Sequence, residues 1–104
     1  MKLKENVKCL GIKPELLLAV IAAESVFRTY EVEFVITSIV DGKHQATNSK
    51  HYSGNAFDVR IKNIPTKETL DYIIHSLKSN LTKDYRVILE SDHIHIDYNP
   101  VYII

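Results

Sequence analysis

Apolar and polar positions along the chain alternate with two different periods. Leu16, Leu17, Val20, Ile21, Glu24 and Phe27 recur at helical spacing, which predicts a helix from Pro14, a good first-turn residue, to about Tyr30. Its apolar side is the expected packing surface for a sheet. Pro65-Thr66 opens a second helix to about Ser79, with Leu70, Ile73, Ile74 and Leu77 on one stripe. Residues 2 to 9 allow a short helix ending at Gly11. Glu33 to Thr37 is β-branched and aromatic and predicts a strand. Val40 to Lys50 is polar, with Asp41-Gly42 as a turn signal.

Three further strands follow from period-two alternation. Ala56 to Ile61 places Phe57, Val59 and Ile61 on one face and Ala56, Asp58 and Arg60 on the other. Tyr85 to Glu90 and His93 to Tyr98 flank Ser91-Asp92, the shortest connection that closes a hairpin, and Asn99-Pro100 ends the last strand. In that register Glu90 opposes His93, Leu89 opposes Ile94, and Val87 opposes Ile96. Glu90, His93, His95 and Asp97 then share a polar face. The element order predicts a small α+β domain, an antiparallel sheet with helices packed on one face.

Composition narrows the function classes. The 104 residues predict one domain, 1–104. Lys+Arg and Asp+Glu are 13 each, and no basic-aromatic strip is present, so nucleic acid is not an expected partner. The apolar run Leu16 to Ala23 is too short to span a membrane. The N-terminal residues carry no long apolar stretch of the signal-peptide kind. Synthesis in the cytoplasm and a monomeric state are expected. Cys9 is the single cysteine and reads as a small buried hydrophobe. His44 and His75 read as surface residues.

The chemistry concentrates in two segments, Ser49 to Arg60 and Glu90 to Asp97. A bend at Gly54 would bring His51 back toward Asp58. Imidazole and carboxylate are good Zn²⁺ ligands. With one histidine of the His93-Ile94-His95 pair they make three protein ligands and leave a fourth position for water, the arrangement of a catalytic zinc. Zinc lowers the pKa of that water toward ~7 and polarises a carbonyl. Glu90 is the candidate that takes up the water's proton and passes it to a leaving amine.

At these residues the sequence resembles the zinc peptidases of the D-Ala-D-Ala carboxypeptidase and L-alanyl-D-glutamate endopeptidase type, whose fold is shared with the hedgehog signalling domain. The likeness rests on Ser49-x-His51-x-x-Gly54-x-Ala56-x-Asp58 and on Glu90-x-x-His93-Ile94-His95. It covers roughly residues 10 to 100. It implies a hedgehog/DD-peptidase-like fold, one Zn²⁺ per chain held by His51, Asp58 and His95, and hydrolysis of a peptide bond in peptidoglycan stem peptides. His93 then stabilises the oxyanion or orients water, and Glu90 is the base, with Asp92 as a second candidate. Ser49 falls in the substrate-binding part of the motif. Many members carry an Arg after a Ser-Gly-Tyr near Thr37-Ser38. This chain has Ser38-Ile39-Val40 there, and Lys43 or His44 is the expected replacement. Compact chains of this kind resemble phage or prophage lysis and virion proteins, so action at the cell wall after phage-type release is implied. The alternative is a zinc-binding module of the same fold without turnover.

Overall fold

The computed structural model describes residues 1–40 and 54–100. Seven elements follow in chain order: β1 (Lys2–Leu3), α1 (Pro14–Thr29), β2 (Val35–Ser38), β3 (Ala56–Arg60), α2 (Lys67–Asn80), β4 (Tyr85–Leu89) and β5 (His93–Tyr98). The five strands form one sheet in the order β1-β2-β3-β5-β4. β1 runs parallel to β2 and every other pair is antiparallel. The class is α+β, and the sheet is mixed rather than purely antiparallel. No helix among the described residues is long and apolar enough to cross a membrane.

The helices begin where their local chemistry dictates. Pro14 opens α1, where a missing backbone N–H is not needed. Thr66 caps α2, its hydroxyl accepting from the Thr69 backbone N–H at 3.0 Å. Both helices lie on one face of the sheet and seal a single apolar layer. Phe34, Ile36, Phe57, Val59, Ile94 and Ile96 face Leu16, Ala19, Ala23 and Phe27 of α1 and Ile73 and Leu77 of α2. Phe27 meets Phe34 edge-on with ring centroids 5.1 Å apart.

Three further expectations are corrected. Residues 2 to 9 are not helical: Lys2–Leu3 form β1, with the Lys2 and Lys4 N–H groups donating to the Phe34 and Ile36 carbonyls at 2.8 Å each. Partner groups on β2 outbid the local helix preference of so short a segment. The buried side of α1 is Leu16, Ala19, Val20, Ala23, Val26 and Phe27, while Leu17 and Ile21 are exposed. The stripe takes in the small Ala19 and Ala23 beside Leu16 and Phe27, all wholly buried, and leaves the larger Leu17 and Ile21 outside it. Cys9 is exposed, not a core residue.

The entry to β3 is tightly fixed. Gly54 has φ +76°, and a Cβ there would lie 2.1 Å from the Gly11 carbonyl oxygen. Glycine is required by both the backbone angle and the space. The Gly54 carbonyl accepts from the Lys13 N–H at 3.0 Å, which fastens the N-terminal segment to the start of the strand that carries Asp58.

Candidate metal centre

The central strands place the chemistry. In the β4–β5 hairpin Leu89 pairs with Ile94 and Val87 with Ile96, as the two-residue connection predicts. The Glu90 N–H donates to the His93 carbonyl at 2.9 Å. On the other side of β5, Asp58 pairs with His95 and Arg60 with His93. Cross-strand partners point to the same face. Asp58, His93, His95 and Asp97 are therefore gathered on the face opposite the helices.

Their contacts form a chain of charge. Asp58 Oδ1 lies 3.1 Å from His95 Nδ1 and 3.6 Å from His93 Nε2. The other nitrogen of each ring meets a second carboxylate: His95 Nε2 is 2.9 Å from Asp97 Oδ2, and His93 Nδ1 is 2.6 Å from Asp92 Oδ1. Behind Asp97 stands Arg86, with Nε 2.9 Å from Oδ1 and a terminal nitrogen 2.5 Å from Oδ2. This is the two-pronged pairing that a guanidinium makes best.

Burial makes these contacts obligatory. Asp97 is fully buried and Asp58 is 8% exposed, and a buried carboxylate needs partners. Burial is the largest influence on Asp97 and pushes its pKa up. The His95 and Arg86 hydrogen bonds and charges outweigh it and hold the carboxyl at about 2. For His95 burial is again the largest influence and works downward, yet Asp58 and Asp97 together raise the ring to about 9. A ring with a carboxylate on each nitrogen demands a cation. Without metal, a second proton fills that need. If Asp97 accepts the Nε2 proton, Nδ1 is the position facing Asp58 where a metal could take the proton's place. A second carboxylate behind a ligating histidine is the usual orienting partner.

Carboxylate and imidazole are donor types that zinc takes. Asp58 lies 3.1 Å from the His95 ring, a hydrogen-bond distance, and 3.6 Å from the His93 ring. Among the described residues no three His, Cys, Asp or Glu side chains are arranged to hold a metal ion. Any metal site here would need a further group, for which His51 is the sequence candidate. His51, Ser49, Lys43 and His44 lie outside the described residues.

The remaining candidates divide. Glu90 sits just past the end of β4, with an exposed side chain. Asp92 is also exposed but touches His93. Read alone, Asp97 looks like a surface acid on a polar strand face; it is instead the most enclosed charge in the site. Arg86 has no place in the motif, yet it completes the chain. The predicted hairpin register already sets Arg86 opposite Asp97, and that opposite-charge pair is the signal that could have found both. Comparison of the chain with protein-family models, with curated proteins and with solved structures gives no match.

Proposed function

We propose that the chain is a zinc-dependent peptidase of peptidoglycan stem peptides, of the D-Ala-D-Ala carboxypeptidase or L-Ala-D-Glu endopeptidase type. The carrying observation is Asp58 Oδ1 standing between His95 Nδ1 and His93 Nε2, each ring held from behind by another carboxylate. The α+β arrangement, with both helices on one face and the charged groups on the other, is compatible with the hedgehog/DD-peptidase fold that belongs to this reading. His51, Asp58 and His95 would hold the ion. Bound there, Zn²⁺ would supply a water of lowered pKa and a Lewis acid for the scissile carbonyl.

The protein's own groups do the rest. Asp97 and Arg86 fix the His95 ring. Asp92 fixes His93, whose Nε2, when protonated, would donate a hydrogen bond to the charge developing on the carbonyl oxygen. Glu90 would accept a proton from water and deliver it to the leaving amine. A phage lysis or virion role at the cell wall accords with this reading.

Metal analysis joined to muropeptide digestion tests it. The expected result is close to one zinc per chain and release of a stem-peptide fragment. Glu90→Gln should keep the metal and lose activity by ~10²–10⁴-fold. If Asp92→Asn abolishes turnover and Glu90→Gln does not, the base is Asp92. Zinc uptake without turnover on any stem peptide would favour the binding-module alternative. A purified chain that takes up no zinc would sink both.

A further inference from the structure

Beside the charged cluster an open cavity of about 630 Å³ is lined by Lys4, Thr37, Arg60, Lys62, Asp92 and His93, among others. Three cations meet a single carboxylate there, and that carboxylate, Asp92, is already hydrogen-bonded to His93. Arg60 is half-buried and sits directly across from His93 in the β3–β5 register. By strand alternation its side chain shares the face of Asp58, two residues earlier. Lys4 is brought in from the sheet edge by its backbone bond to Ile36. Lys62 lies in the turn closed by the Ile64 N–H on the Ile61 carbonyl at 2.9 Å. Among the described residues no carboxylate pairs with Lys4, Arg60 or Lys62.

An arginine of intermediate exposure beside two exposed lysines, with no acidic partner among the described residues, is a candidate anion site. A planar guanidinium selects carboxylate through two parallel N–H donors. We propose that this cavity is a carboxylate-binding subsite that seats an anionic group of a peptide ligand next to His93, with Arg60 as its main contact. The inference deepens the peptidase reading and rests on it for the peptide nature of the ligand. It makes the preferred substrates peptides with a carboxylate close to the cleaved bond, either a free C-terminus or an acidic side chain.

The test is calorimetric titration of the purified full chain, its zinc content measured in parallel. Three probes are used: N-acetyl-D-alanyl-D-alanine, its C-terminal amide, and an N-acetyl dipeptide amide bearing one glutamate side chain. At least one acid should bind about ten-fold more tightly than the neutral amide, and the preference should shrink at high salt. The acid that binds better identifies which carboxylate the site takes. Arg60→Gln should remove most of the preference, and Lys62→Gln, in an exposed turn, should reduce it with folding intact. Equal binding of acid and amide, no saturable binding of either acid, or an unchanged preference in both variants would overturn the subsite. A chain that holds zinc and cleaves peptides but shows no acid preference refutes the subsite alone. A chain without zinc that still prefers the acid refutes the peptidase reading alone.

Discussion

The two faces of β3 and β5 are made by the same strands, one residue out of step, yet they are held together differently. On one face Phe57, Val59, Ile94 and Ile96 are wholly buried beneath the helices. Nothing there needs a specific partner, only the right volume. On the other face Asp58 and Asp97 are also buried, and each depends on named counter-groups: His95 and His93 for the first, His95 and Arg86 for the second. The first face stabilises by removing apolar surface from water. The second sets costly desolvation against good pairing, a balance that yields little net stability.

That contrast can be broken most sharply on the apolar side. Ile96→Ala removes a fully buried side chain and should lower unfolding free energy by about 2–5 kcal/mol, as read from urea denaturation. Under the peptidase reading, zinc affinity of the surviving folded fraction should change much less than stability.

The opposite pattern is expected at Asp97. Asp97→Asn keeps the volume but removes the charge between Arg86 and His95. Stability should fall by only about 1–3 kcal/mol, while zinc affinity should fall by ~10–100-fold, measured by competition with a chromogenic chelator. Equal zinc affinity in the variant and parent would mean that Asp97 does not orient a ligand.

A smaller effect follows from titration of the metal-free chain. The Asp97 pKa is lowered from 3.8 to about 2 on folding, so its contribution is complete above 3.8 and is lost as pH falls through about 2. The His95 pKa is raised from 6.5 to about 9, so its contribution is complete below 6.5 and is lost as pH rises through about 9. For these two groups both contributions are present between 3.8 and 6.5. Melting temperatures recorded in chelator should show that plateau, and Asp97→Asn should remove the Asp97 part of the acid shoulder and shrink the alkaline one, where Asp58 still pairs with His95. Melting that ignores pH between 6.5 and 9 would contradict the charged pairing of His95.

Much of the polar face was legible because it is governed by local rules. A two-residue connection fixes the hairpin register, and alternation then sends His93, His95 and Asp97 one way and Ile94 and Ile96 the other. Asp58 follows from the same rule in β3. What escaped depends on partners distant in sequence. Lys2–Leu3 carry too few residues to show any period, and they become a strand only because β2 offers free backbone groups. The buried side of α1 includes Ala19 and Ala23, whose weak hydrophobicity hides them in a periodicity read from larger side chains. The burial of Asp97 depends on Arg86, which no ligand motif contains. His51, Ser49, Lys43 and His44 lie outside the described residues, so the first half of the motif stands on sequence alone.

The alternation in β5 also determines which genetic changes the site can survive. Substitutions alter one contact at a time. A single inserted or deleted codon between Ile94 and His95 is different in kind. Every residue downstream would change sides, carrying the imidazole and the Asp97 carboxylate into the aliphatic layer and turning Ile96 outward. Functional variants should therefore accumulate length changes in the connections between elements, with the His93–Asp97 stretch kept at constant length.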